Sequence, residues 1–327
     1  MKRNIKKFLF PAVAVAVLSF AACSDWTETE SLDINYPTLE EQNPELYKQY
    51  LKALRDYKAG EHKVVLVSMD NTTSAPAQRN EHLTTMPDSV DIICLMNPDN
   101  LHPTLAGEFA KVREKGTRVI YNIDYNAIEK LWEKVLADEE ANKPEEPANP
   151  STPEATQDEG GEGGGEGEPT PEEELELRFL EFCRQQTVSQ LNLCAKYGYD
   201  GVQVNYTGRA PQAMQEEEKA QYAARQEAFF SNVKTWSGAN SGKVLVFQGN
   251  PQNLIDKSVL GECDYIVIPA LTATSADKMS FAVLMAAVED VPTDRFVIGV
   301  TTPSLTDLSD ESGYFSGYEA DDKTRVR

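Results

Sequence analysis

The chain alternates short β-branched runs with longer stretches of helical period. Val64-Val65-Leu66-Val67, Ile92-Ile93-Cys94-Leu95, Val119-Ile120-Tyr121, Val202-Gln203-Val204, Val244-Leu245-Val246-Phe247, Tyr265-Ile266-Val267-Ile268 and Phe296-Val297-Ile298-Gly299-Val300 read as seven strands. Residues 104–115, 127–142, 174–197, 215–235 and 276–289 are helix-compatible. Residues 37–59 predict an amphipathic helix ahead of the first strand, with Leu39, Tyr47, Tyr50, Leu51 and Leu54 on its apolar side. Near-continuous apolar strands alternating with helices predict a parallel sheet under a helical cover, either doubly wound or closed as a (β/α)8 barrel. Neither G-x-G-x-x-G nor a P-loop follows the first strand, so the usual reason to prefer a nucleotide-binding sheet is missing and the barrel is favoured. The fold expected is α/β and TIM-barrel-like, but incomplete at the eighth β/α unit. After Thr302 the chain reads PSLTDLSDESGYFSGYEADDKTRVR, a polar, turn-rich segment with no eighth strand and no closing helix.

One segment breaks the alternation. Residues 144–173, PEEPANPSTPEATQDEGGEGGGEGEPTPEE, cannot bury enough apolar surface to offset the ordering of their backbone, and read as a disordered acidic insert. From Glu145 to Glu176 there are twelve acidic residues and no basic one. The insert falls in a βα loop between the third and fourth strands, and in a barrel such loops border the ligand face. A solvated spacer is the favoured reading over a functional lid.

The start of the chain is an address. Residues 1–22 place Lys2, Arg3, Lys6 and Lys7 ahead of an apolar run too short to span a membrane, the pattern of a secretory signal. The run ends Phe20-Ala21-Ala22-Cys23, which resembles a bacterial lipobox with Cys23 as the lipid attachment site. Ser24-Asp25, with Glu28 and Glu30, resembles the acidic signal that sends lipoproteins of the Bacteroides group to the outer face of the outer membrane. The organisation expected is a signal at 1–22, a tether at 23–36 and a barrel domain at 37–327.

Charge and composition narrow the chemistry. A formal charge of −22 excludes a basic nucleic-acid binder. Three His and five Cys, without C-x-x-C or H-E-x-x-H, supply no metal site, and no cofactor is expected. Cys94 and Cys263 lie beside apolar runs, and Cys183 and Cys194 stand eleven residues apart in one helix, too far to bridge. Buried free thiols are expected.

The fourth strand, Tyr199-Asp200-Gly201-Val202-Gln203-Val204-Asn205-Tyr206-Thr207, resembles the D-G-x-D-x-D-x-E strand of glycoside hydrolase family 18. Asp200 and Gly201 match that pattern, and the strand–helix order from about 60 to 306 accompanies it. The resemblance implies a (β/α)8 barrel acting on chitin or N-glycans, with the last Glu as acid and a preceding Asp orienting the substrate's acetamido group. This chain has Gln203, Asn205 and Thr207 where the pattern has Asp, Asp and Glu. The family's Tyr near strand six and Trp near strand eight have no counterpart: strand six runs Val267-Ile268-Pro269-Ala270, and no Trp follows Trp236.

Strand alternation points 203, 205 and 207 together into the barrel. Neither amide nor a Thr hydroxyl can protonate a leaving oxygen near neutral pH. No catalytic residue is therefore expected, and the reading is a degenerate barrel that holds glycan without cutting it. Asp70, Asn97, Asn122, Asp124 and Gln248 follow other strands, and with Gln203, Asn205 and Thr207 they make up the candidate glycan-binding set. Tyr121, Tyr125, Tyr206 and Phe247 could add aromatic faces or pack in the core. The expected partners are an N-acetylglucosamine-containing glycan of the chitooligosaccharide or N-glycan type, the outer membrane through the lipid, and a glycan-uptake complex. Two alternatives stay open: an active endo-β-N-acetylglucosaminidase with a displaced acid such as Asp124, and a structural or partner-binding protein without ligand.

Overall fold

The computed structural model describes residues 37–72, 75–142, 169–302, 307 and 309. The expected signal at 1–22, Cys23, the tether to residue 36 and residues 144–168 of the insert lie outside the described residues. The chain divides into two compact units, residues 1–50 and 51–327. Helix α1 (Leu39–Gln42) lies in the first, and helix α2 (Pro44–Ala59) begins there and runs on into the second, so the one helix expected over 37–59 is two. Asn43 explains the break: its side-chain oxygen accepts the Leu46 N–H at 3.1 Å, and Pro44, which has no N–H to lose, opens a new helix.

The second unit carries a seven-stranded, wholly parallel sheet: β1 (Leu66–Met69), β2 (Ile92–Leu95), β3 (Arg118–Asp124), β4 (Gly201–Tyr206), β5 (Val244–Gly249), β6 (Tyr265–Pro269) and β7 (Phe296–Gly299). Each strand pairs with its neighbour in chain order. The intervening helices are α3 (Pro103–Glu114), α4 (Tyr125–Ala141), α5 (Pro171–Tyr197), α6 (Glu216–Ala239) and α7 (Ala276–Ala286).

Strand alternation sorts the side chains into two clusters. Tyr121 and Ile123 of β3, Val202 and Val204 of β4, and Phe247 of β5 pack with helix residues that include Phe109, Ile128, Phe179 and Phe229. Ile92, Cys94, Ile120, Val244, Val246 and Val267 form a second cluster of strand residues alone. Helices therefore cover one face only, as same-handed crossovers between sequential parallel neighbours require. A doubly wound sheet would be covered on both faces. The fold is an incomplete TIM-barrel-like α/β wall, open at β1 and β7 among the described residues. Each fully buried large side chain of the helix-facing layer contributes about 1.5–3 kcal/mol.

Several strands run longer than their apolar cores suggest. β3 continues to Asp124, β4 to Tyr206 and β5 to Gly249. The added residues include Asn122, Asp124, Asn205 and Gln248, polar side chains on the face without helices. β1 instead begins two residues late, at Leu66, because the Val65 N–H is taken by the Asp91 carboxylate at 2.8 Å. Helix α5 starts at Pro171, not 174, so residues 171–173 leave the expected insert and join the helix. Thr170 and Glu173 form a reciprocal capping box there, with Pro171 at the first helical position. Cys94, Cys183, Cys194 and Cys263 are free and buried.

Candidate functional site

The two residues that match the family strand are structural. Asp200 precedes β4 at the end where the strands begin; its carboxylate accepts the Arg113 Nε–H at 3.0 Å and the buried Val119 N–H at 2.8 Å. It thereby joins the end of α3 and the start of β3 to β4. Gly201 is required by close approach, because a Cβ there would lie 2.1 Å from the Val244 carbonyl oxygen. Gly198, at φ 71°, ends α5 in the left-handed conformation that delivers Asp200 to its place.

At the other end, register brings most of the candidate residues into two rungs. Asn122 of β3 pairs in register with Gln203 of β4, and the next inward-facing rung joins Asp124, Asn205 and Gln248. Neighbours along a rung are about 4.8 Å apart. Gln203 is fully buried; its Nε2 donates to Asn122 Oδ1 at 3.2 Å, and its Oε1 has no partner. Turning the amide over only exchanges which of its polar atoms is left over. An orphaned buried acceptor costs about 1–3 kcal/mol.

The remaining candidates are engaged with neighbouring loops. Asp124, half-buried, caps α4 by accepting the Asn126 N–H at 2.9 Å. Thr207 lies one residue beyond β4; its hydroxyl accepts from Asn126 Nδ2 at 3.0 Å, and its carbonyl accepts from Asn250 and Asn253 side chains at 3.1 and 2.8 Å. Asp70 and Asn97 meet each other across β1 and β2 at 3.1 Å. Asn71 ties the same loops, its amide donating to the Asn97 carbonyl and accepting the Asn97 N–H, both at 2.8 Å. Asn97, Asn122 and Asp124 line a cavity of about 290 Å³, to which α5 adds Gln186 and Gln190.

Tyr121, Tyr125, Tyr206 and Phe247 provide no aromatic platform. They are at most 4% exposed and pack against helices, because their strand positions have the opposite parity to the amides and Tyr125 opens α4 on the same helical side. Sequence reasoning passed over Asn126 and Asn253, which hold Thr207, and the two glutamines of α5. A single helical Asn or Gln carries no signal until a neighbouring loop is placed beside it.

Glu129 is held above its ordinary carboxylate range, chiefly by burial. It hydrogen-bonds Tyr125 and lies within electrostatic reach of Arg225, Cys183 and the rung carboxylate Asp124. Among the described residues no group of His, Cys, Asp and Glu could hold a metal ion, and no helix is long and apolar enough to cross a membrane.

No protein of curated function matches the chain. Among solved structures, a Glu-to-Gln variant of BT1044 aligns with a TM-score of 0.49 at 16% identity, covering 81% of this chain and 74% of its own. A family 18 chitinase from Pseudoalteromonas aurantia aligns at 0.41 and 11%, over 72% and 80% of the two chains. The Bacillus cereus spore cortex-lytic enzyme SleL aligns at 0.41 and 12%, over 78% and 60%. The family model described as glycoside hydrolase family 18, BT1044-like, matches residues 27–158 and 172–322. That match takes in all seven strands and both sides of the acidic insert, and on it the chain belongs to the BT1044-like group of glycoside hydrolase family 18.

Proposed function

We propose that the protein is a non-catalytic glycan-binding lipoprotein of the outer cell surface, which captures N-acetylglucosamine-containing glycans on a degenerate family 18 barrel. The observation that carries the reading is Gln203, a neutral amide where the family strand has a carboxylate. Asn205 and Thr207 continue the substitution. A Thr hydroxyl has no ionisation suited to protonating a leaving oxygen, and loss of general acid catalysis removes about 10²–10⁴-fold in rate. Asn122, Asp124 and Gln248 supply further donors and acceptors in adjoining rungs. Residues 1–23 support export and lipid anchoring, which would place the barrel beside a glycan-uptake complex.

Calorimetry with chitooligosaccharides and N-glycans, run beside a product-release assay, tests this reading. Saturable binding without release is expected. Silence toward every such glycan would leave a structural or partner-binding protein. A second reading draws on one observation: Asp124 is a carboxylate on the same rung as Asn205. Product release abolished by Asp124→Asn would establish a displaced-acid hydrolase and remove the non-catalytic assignment.

A further inference from the structure

At the end of the sheet opposite the amide rungs, where strands begin and helices end, lies a cavity of about 720 Å³. That volume is within the range of small-molecule sites. Two ion pairs at its wall, Arg113 with Asp200 and His62 with Asp91, are internally compensated. Three further bases, Arg55, Arg118 and Lys243, have no carboxylate partner, and a fourth, Lys58, is within electrostatic reach of Asp91 and Asp88. Arg55 Nη1 donates to the Glu114 carbonyl at 2.7 Å, and Lys243 Nζ to the Tyr199 carbonyl at 2.5 Å. Lys58 Nζ donates to the Val90 carbonyl at 2.6 Å and the Thr117 hydroxyl at 2.8 Å. Every one of these acceptors is neutral, and the Arg118 guanidinium has no hydrogen-bond or ion-pair partner among the described residues.

Helix C-termini gather at this end, and their carbonyls attract bases. That accounts for Lys58 and Arg113, which stand in the last turns of α2 and α3. It does not account for Arg118, which opens β3 and whose register partner Ile92 belongs to the strand-only cluster, so that its guanidinium stands on the face without helices. In a chain of formal charge −22, five bases against the two carboxylates Asp91 and Asp200 around one cavity leave a net positive field there.

We propose that this cavity is a second binding site, for a small oxyanion carrying two or more phosphate or sulfate groups. Arg118 is its central base, presenting a planar fork matched to such oxygens. Lys243 and Arg55 keep donors beyond those spent on carbonyls, and the half-buried Tyr265 lines the same wall. The site is independent of the glycan-binding assignment.

The test is calorimetric titration of the full chain with tripolyphosphate and, separately, with a trisulfated heparin-type disaccharide, at low and moderate salt. One saturable equivalent is expected, weakening with salt. Arg118→Gln and Lys243→Gln should each lower affinity at least about tenfold, with circular dichroism unchanged, since Arg118 is exposed. Lys48→Gln, a substitution of a 71% exposed side chain away from the cavity, should leave affinity unchanged. Binding of tripolyphosphate alone assigns the site to phosphate chains, and binding of the disaccharide alone assigns it to sulfated sugars. Failure of both probes to saturate, or equal affinity in Arg118→Gln, overturns the proposal.

Discussion

Asp200→Ala separates a structural role for the matched signature residue from a ligand role. The Val119 amide is fully buried and donates to the Asp200 carboxylate, so truncation leaves that N–H without an acceptor at a cost of about 1–3 kcal/mol. The pair with Arg113 is lost as well, but its side chains are 39% and 22% exposed, and such pairs contribute only up to about 1 kcal/mol. The total is about 1–4 kcal/mol. In a domain of this size that lowers the melting temperature by roughly 2–16 °C. Asp200→Asn retains an oxygen for Val119 and should cost no more than about 1 kcal/mol. Asn205 lies five residues further along the strand, about 17 Å away, so glycan affinity should be the same in both variants. Urea denaturation, thermal melting and glycan titration of the three proteins measure each quantity. An unshifted melting curve for Asp200→Ala would refute the bracing argument, as would loss of glycan affinity in Asp200→Asn at unchanged stability.

Gln203→Leu removes one orphaned acceptor and leaves another, Asn122 Oδ1, without its donor, so the two costs of about 1–3 kcal/mol offset and stability should change little while glycan affinity falls about tenfold or more; unchanged affinity would take Gln203 out of the site. His62 faces two acceptors, the Gly60 carbonyl at 2.8 Å and Asp91 at 3.0 Å, which raise its pKa from the ordinary 6.5, the backbone contact most. A raised folded-state value means that this stabilisation is complete below about pH 6.5 and is lost as pH rises through the folded pKa. Urea midpoints measured from about pH 6 to 9 should therefore decline more steeply for the wild type than for His62→Gln, and parallel curves would contradict the assignment. Burial pushes Cys183 and Cys263 up to about 12, and Cys94 and Cys194 upward as well. A thiol reagent should leave all four unmodified in the native protein and label them in urea, whereas rapid native labelling would show that the core opens.

Much of this molecule can be read along the chain. The apolar runs Ile92–Leu95, Val244–Phe247 and Tyr265–Ile268 coincide with strands, because a parallel strand buried on both faces needs apolar residues at successive positions. The parity that points Gln203 and Asn205 away from the helices follows from a period of two and holds in the register. Strand ends were less legible. The residues that lengthen β3, β4 and β5 are amides and a carboxylate, and a polar side chain in a strand cannot be told from the start of a loop without its neighbour.

What the sequence by itself determined was the local and periodic part: helix and strand order, and the neutral side chains Gln203, Asn205 and Thr207 along the fourth strand. Only the tertiary structure decided which polar groups were already satisfied. Asp200 serves a brace and not a ligand, Thr207 is held by Asn126, Asn250 and Asn253, Gln203 keeps an unpaired oxygen, and four bases from three separate parts of the chain meet around one cavity. Hydrogen bonds and charges act over a few ångströms in space between residues far apart in sequence, so their balance exists only once the chain has folded.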